Sequence, residues 1–123
     1  MKTVSRILAS ILIVAFGTQA LAYDPQVDGK KHPRRKEVIN RAQNEKGKNN
    51  AAAANGQITQ QQANKLNRQD NRIERQEQRQ AARNGGTITK AEQRRDNREE
   101  NRVNRERNQM EKQDAANGKT SGN

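Results

Sequence analysis

The chain has 123 residues, with 25 Lys and Arg against 14 Asp and Glu, which gives a formal net charge of +11. Only 28% of its residues are hydrophobic and 2% are aromatic, so a large apolar core is excluded. The sequence has no Cys, which excludes disulfides and thiolate catalysis. Because a catalytic pair needs an enclosed pocket that shifts its pKa values, we expect no enzyme, no catalytic residue, no metal and no cofactor.

Residues 1–22 are predicted to be a signal peptide. Lys2 and Arg6 precede an apolar run over 7–16, and an A-x-A cleavage pattern follows at 20–22. An uncleaved anchor is the alternative, but the run is shorter than the roughly 20 residues that span a bilayer. We therefore expect an exported bacterial protein, periplasmic or extracellular, that keeps a net charge of +9 and does not insert into a membrane.

Two segments follow the predicted signal peptide. Residues 23–33 contain Pro25 and Gly29 without any hydrophobic period, which predicts a flexible arm. Residues 34–54 are predicted as a possible helix that frays at Gly47, followed by an Asn- and Ala-rich linker that either extends the helix or forms a loop.

A dense basic run crosses the boundary between these two segments. It is interpreted either as an arm that binds nucleic acid or as a solvated linker. Its cations are Lys30, Lys31, Arg34, Arg35 and Lys36.

Two units then repeat at a period of about 30 residues, over 55–84 and 85–114, and leave a disordered tail at 115–123. Each unit is predicted to be a Gly-containing turn followed by a helix. Capping boxes mark the helix starts, because a Thr in each turn is followed three residues later by Gln or Glu. Asn-Gly pairs are predicted to stop the helices, and the second stop is placed at Asn117-Gly118.

Arginines recur at helical spacing in both units, whereas large apolar residues are few. At 100° per residue they fall on one side of each helix, and carboxylates fall with a thin apolar seam on the other side. The interpretation is a surface that binds anionic partners, against the alternative of a duplicated, solvated polar helix. Its predicted residues are Lys65, Arg68, Arg72, Arg75, Arg79, Arg83, Arg94, Arg98, Arg102 and Arg105.

If the two repeat helices pack antiparallel, the neighbours of their carboxylates can be predicted from the sequence. Asp70 is expected near Arg107, where the two side chains form an ion pair, and Glu77 is expected near Asp96, where they repel. The apolar seam alone gives a marginal hairpin. Oligomerisation or folding on a partner would supply the missing burial.

Gly86, Ile88, Thr89 and Glu92 match the second half of an EF-hand calcium loop, but the acidic first half is missing. The same residues form a G-x-[IL]-T-x-x-E unit, and the other copy departs from it at Gln62. Over residues 55 to 110 the chain thus resembles a group of small exported bacterial proteins with two such units and no assigned function. The resemblance implies export and a helical hairpin, and it implies no catalytic residue.

Together these features predict a mostly α chain with substantial disorder: two turn-helix repeats that form a coiled-coil-like hairpin, and possibly a third, N-terminal helix. The predicted function is binding of nucleic acid, lipopolysaccharide or an acidic protein surface through the arginines. The alternatives are a periplasmic stress protein of the holdase type and a structural helical oligomer.

Overall fold

The computed structural model describes residues 27–120, and side chains as far as residue 118. The described chain forms three helices: α1 (Pro33–Ala54), α2 (Gln60–Arg83) and α3 (Lys90–Thr120). The prediction of a mostly helical chain with a third, N-terminal helix is confirmed. The predicted signal peptide lies outside the described residues.

Both repeat helices begin at the predicted capping boxes. The Thr59 hydroxyl accepts a hydrogen bond from the Gln62 amide, and the Gln62 side chain accepts one from the Thr59 amide. Thr89 and Glu92 exchange the same two bonds at the start of α3. Because each box satisfies two amides that the helix itself leaves unpaired, the starts of α2 and α3 are fixed locally.

Glycines in the two turns adopt the left-handed conformation that side chains disfavour. Gly56 has a φ of 71°, while Gly85 and Gly86 have φ values of 64° and 93°. The Gly86 amide donates to the Ala81 carbonyl, which closes the end of α2.

The end of α1 agrees with one of the two alternatives left open by the sequence, and the predicted end of α3 is wrong. α1 continues through Gly47 and includes the Asn- and Ala-rich segment as far as Ala54. α3 continues through Asn117-Gly118 to Thr120. Neither Gly47 nor Gly118 has a positive φ, and an isolated glycine costs a helix only about 1 kcal/mol. Glycine ends a helix when it adopts the left-handed conformation, and composition alone does not reveal that.

The three helices pack as an up-down-up bundle. α1 runs antiparallel to α2, since Arg35 near its start bonds Glu77 and Asn49 near its end bonds Asn67. α1 runs parallel to α3, since Glu37 accepts from Gln93 and Arg41 donates to Asn101. α1 therefore covers one side of the α2–α3 hairpin and leaves the opposite side to solvent.

A small apolar core lies on the bundle axis, and both isoleucines that precede the capping boxes are part of it. The buried apolar residues that form this core are Val38, Ala52, Ile58, Ala63, Leu66, Ile73, Ala81, Ile88 and Val103.

In the described part of the chain, none of the helices is long and apolar enough to span a membrane.

Candidate polyanion-binding surface

The predicted arginines of both repeats lie on the outside of the bundle. Each of these side chains is exposed, because the opposite sides of α2 and α3 pack against each other and against α1. We call this set the arginine surface: Arg68, Arg72, Arg75, Arg79, Arg83, Arg94, Arg98, Arg102 and Arg105.

Ion pairing separates the arginine surface from the other arginines. Within residues 27–118, no member of the arginine surface has a carboxylate oxygen within 4.0 Å. Arg35, Arg41 and Arg107 turn toward the interior, and each is paired, at distances of 2.5, 2.7 and 2.6 Å. The exposed guanidiniums therefore keep their hydrogen-bond donors available to solvent or to a partner.

Lys65, the remaining predicted site residue of the repeats, differs from the arginines. Its Nζ lies 2.6 Å from a carboxylate oxygen of Glu106 on α3. Hydrogen bonds from Lys65 and Gln69 hold the pKa of Glu106 below its ordinary value. Lys65 thus ties the two repeat helices together, and its charge is already partly neutralised.

The two rows of arginines meet at a groove between α2 and α3, on the side of the hairpin away from α1. Arg72 lines the groove from α2 and Arg102 lines it from α3. Ile73 and Val103, both about 2% exposed, also line it and supply its apolar surface. The groove has a volume of about 320 Å³.

Hydrogen bonds between the helices fix the register of this groove. Gln69 on α2 donates to Glu106 on α3, and about two helical turns further along Gln76 donates to Glu99. The level of Arg72 and Arg102 lies midway between these two contacts. The same two residues are equivalent positions of the 30-residue repeat, so the hairpin brings the repeat copies of one arginine together.

A second depression, of about 410 Å³, runs along the exposed side of α3. It is lined by Arg98, Arg102 and Arg105 and also by Arg95, which the sequence analysis did not include. Arg95 lies seven residues before Arg102 and so almost directly in line with it on the helix. A wider sector on the helical projection would have found Arg95. Its Nε already lies 3.4 Å from Glu99.

The predicted basic arm is divided by the structure. Lys30, Lys31 and Arg34 are exposed. Arg35 instead packs inward, where it donates to Glu77 at 2.5 Å and to the Gly86 carbonyl at 3.3 Å. Lys36 is half-buried beside Gly29. Arg35 therefore serves the packing of α1 against the repeats, whereas Lys36 packs beside the segment that precedes α1.

Five of the carboxylates that were predicted opposite the arginines are buried, whereas Glu92 and Asp114 are only partly covered. Four of them have no exposed surface, and we call these the interior carboxyls: Asp70, Glu77, Asp96 and Glu100.

Burial raises the pKa of every interior carboxyl, because a charged carboxylate loses hydration inside the bundle. The pKa of Asp70 rises to about 7, through burial and the nearby charge of Glu45. The pKa of Glu100 rises to about 8, through burial against the opposing attraction of Arg41. Burial also raises the pKa of Glu77 and Asp96, and the proximity of these two carboxyls adds to the shift of Glu77, as predicted.

Several oxygens of the interior carboxyls accept no hydrogen bond. These include Asp70 Oδ1, Asp96 Oδ2 and both carboxylate oxygens of Glu100. Arg41 Nε lies 2.7 Å from Glu100 Oε2 but is not aligned as a hydrogen-bond donor to it. Because an uncompensated buried charge is costly, protonation near neutral pH is the physical response of such groups.

The predicted Asp70–Arg107 ion pair is replaced by a network that includes α1. Arg107 donates to Glu45 at 2.6 Å and to Asn49 Oδ1 at 3.3 Å, while Asn49 donates to Asp70 at 3.0 Å. Burial acts to raise the pKa of Glu45, but hydrogen bonds from Arg107 and Lys48 lower it overall. The prediction considered the hairpin alone and therefore missed the better acceptors on α1.

Among the described residues, no group of three or more His, Asp or Glu side chains is arranged to hold a metal ion. Comparison of the chain with protein-family models, with curated proteins and with solved structures found no match.

Proposed function

We propose that this chain is an exported, non-catalytic protein that binds anionic polymers through the arginine surface. One observation carries the proposal: nine exposed arginines on α2 and α3 have no carboxylate partner among the described residues, whereas the inward-facing arginines are paired. Exposed charge without a partner attracts polyanions over a distance and exchanges their counterions on contact.

The spacing of the arginines also supports this function. Arg68 and Arg72, and likewise Arg98 and Arg102, place like charges at i,i+4, where they repel and weaken an isolated helix. Exposed glutamates three or four residues away from each arginine would instead form ion pairs that stabilise the helices. A bound polyanion removes this repulsion, so the arrangement favours the complex over the free protein.

Export is supported by the sequence of residues 1–22, with its cationic start, its short apolar run and its A-x-A pattern. An extracellular or periplasmic location would expose the surface to lipopolysaccharide, acidic envelope surfaces and released nucleic acid. Contacts to such partners would involve phosphate or other anionic groups, since the sequence has one Tyr and one Phe and no Trp for base stacking.

The proposal is tested by measuring the affinity of the protein for a labelled short DNA duplex, for heparin and for vesicles of anionic lipid. Replacement of Arg68, Arg72 and Arg75 by Gln removes three unpaired cations and is expected to weaken binding about 10- to 100-fold at low salt. The matched control removes three other exposed cations that have no ion pair among the described residues, through Lys31→Gln, Lys90→Gln and Lys112→Gln.

The control triple variant should bind within a few-fold of the parent protein. Equal losses in the two triple variants would show that net charge alone, rather than the arginine surface, determines affinity. Absence of binding to all three probes would overturn the proposal. In that case a discrete, highly helical multimer in sedimentation would favour a structural oligomer, and protection of an unfolding client would favour a holdase.

A further inference from the structure

We infer that Arg72 and Arg102 together form the anchor of the arginine surface, and that they hold one phosphate-type oxyanion of a linear polyanion over the α2–α3 groove. This inference rests on the proposed function, because it names the ligand chemistry and the centre of the same surface. Its test is designed so that the anchor is overturned separately from polyanion binding.

The first argument is convergence. Of the nine members of the arginine surface, only Arg72 and Arg102 line the groove between the two helices. The others, such as Arg68 and Arg98 one helical turn earlier in each repeat, are exposed but do not line this groove. An oxyanion in the groove therefore receives hydrogen bonds from both helices at one level only.

The second argument is the inventory of free donors. The Gln76 side chain donates to Asp96 and Glu99, and the Gln69 side chain donates to Glu106. Glu99 also lies 3.4 Å from Arg95, which reduces its repulsion of an anion. The polar groups that share the groove with Arg72 and Arg102 are thus already engaged, and the two guanidiniums keep their donors.

The third argument concerns the shape of the donors. A guanidinium presents a planar set of N–H groups that matches two oxygens of a phosphate at once, and two guanidiniums on opposite walls provide two such sets. The like charges of Arg72 and Arg102 repel each other across the groove in the free protein. An oxyanion between them removes that repulsion, and this relief favours binding. A single exposed arginine provides no such gain.

The fourth argument favours a linear chain over a flat surface. The groove runs between two antiparallel helices and is open along its length, so a strand can pass through while one of its phosphates rests between the walls. Arg68 and Arg98 are exposed one helical turn away from Arg72 and Arg102, a spacing that allows contact with neighbouring phosphates of the same strand. A membrane surface would instead contact the outermost arginines as readily as the groove pair.

The positions of Arg72 and Arg102 also predict whether binding depends on the direction of the polyanion strand. Arg72 and Arg102 are equivalent residues of the repeat, and they face each other across an antiparallel hairpin. Exchanging the two helices leaves this anchor nearly unchanged. The protein should therefore accept a phosphate chain in either direction.

The test uses inorganic polyphosphate and single-stranded DNA of matched charge as probes, with the full chain and four single variants. Arg72→Gln and Arg102→Gln should each weaken binding of both probes by about tenfold or more, since each removes hydrogen bonds to a charged group. Arg68→Gln and Arg98→Gln are the matched controls, because these arginines are also exposed and have no carboxylate partner among the described residues, and they should cost only about two- to threefold.

The double variant Arg72→Gln with Arg102→Gln should lose less than the product of the single losses, because both residues hold the same oxyanion. Arg72→Lys keeps the charge but loses the planar donors, and it should weaken binding where Arg68→Lys does not. Circular dichroism of every variant should match the parent, because all four positions are exposed.

Equal losses in the four single variants would overturn the anchor while leaving polyanion binding intact. Anionic vesicles bound as tightly as polyphosphate, with equal sensitivity at all four positions, would overturn the choice of a linear ligand. If Arg72→Gln and Arg102→Gln weaken the binding of polyphosphate and of DNA alike, the recognised group is the phosphate. If they weaken the binding of only one probe, recognition of the phosphate is contradicted.

Discussion

The interior and the exterior of this bundle carry opposite charges and treat them differently. The interior carboxyls Asp70, Glu77, Asp96 and Glu100 are fully buried, and each is protonated more readily than usual or held near a cation. The arginine surface is exposed, and none of its members has a carboxylate partner among the described residues. Buried charge must be neutralised for the chain to fold, whereas exposed charge costs little and stays available.

Arginines with two different roles therefore occur on the same helix: some form ion pairs inside the bundle, and others are exposed on its surface. Arg107 and Arg105 are two residues apart on α3, yet Arg107 is 7% exposed and bonded to Glu45, while Arg105 is exposed and has no carboxylate partner within the described part of the chain. The role of an arginine in this protein therefore depends mainly on which side of the helix it occupies. Three predictions test whether the separation is real.

The largest effect on stability is expected from Arg107→Met. This change leaves the buried carboxylate of Glu45 without its main partner and should lower the free energy of unfolding by about 3–5 kcal/mol. Urea unfolding followed by circular dichroism measures the loss. Adding Glu45→Gln to this variant should recover part of it, because the orphaned charge is removed as well.

Arg105→Met is the matched control for that experiment. It removes the same side chain from the exposed side of α3 and should change the free energy of unfolding by at most about 0.5 kcal/mol. Equal losses in the two variants would show that the interior and exterior arginines are equivalent, which would break the comparison.

A smaller effect is expected from pH. Burial raises the pKa of Asp70 from its ordinary value of 3.8 to about 7 in the folded protein, and it raises the pKa of Glu100 from 4.5 to about 8. The folded state therefore binds more protons than the unfolded state between these values. The stabilisation is complete below the unfolded pKa values and is lost as the pH rises through the folded ones.

Other carboxylates set the acid side of the profile. The pKa of Glu45 and of Glu106 is lowered by hydrogen bonds, so their contribution is lost as the pH falls below their ordinary range. We expect maximal stability in mildly acidic solution and a loss on the order of 2–4 kcal/mol as the pH rises to about 9.

Unfolding by urea at a series of pH values measures this profile. Glu100→Gln should flatten its alkaline side, because the variant has no proton to lose at that position. A parent protein whose stability rises from mildly acidic to mildly alkaline pH would contradict the account of the interior carboxyls.

The smallest effect on stability is expected at the arginine surface. Replacement of Arg68, Arg72 and Arg75 by Gln should raise the melting temperature slightly or leave it unchanged, since relief of i,i+4 repulsion contributes about 0.2–0.5 kcal/mol. Thermal unfolding checks this expectation. A loss of several degrees would mean that these side chains support the fold.

Much of this architecture follows from local sequence signals. The capping boxes at Thr59 and Thr89 fixed the helix starts because a cap is a contact within four residues. The arginine rows followed from the helical period, because exposure of one side of a helix requires only that its other side be buried. Both features depend on short-range geometry.

The interior depended on long-range contacts, which the sequence does not specify. Hydropathy places Asp70 and Glu100 at the surface, yet both are buried because α1 covers them with Asn49 and Arg41. The roles of α1 residues such as Glu45 depended on the fold as a whole. The convergence of Arg72 and Arg102 likewise required the register of α2 against α3.

The most direct test of the central claim is the affinity of the protein for single-stranded DNA as a function of salt concentration. Released counterions make the logarithm of the affinity fall linearly with the logarithm of salt, with a slope of about −0.7 for each phosphate contacted. We predict a steep slope equivalent to several contacts, and a shallower one for the variant that lacks Arg68, Arg72 and Arg75. An affinity that does not change with salt would contradict a function carried by the arginine surface.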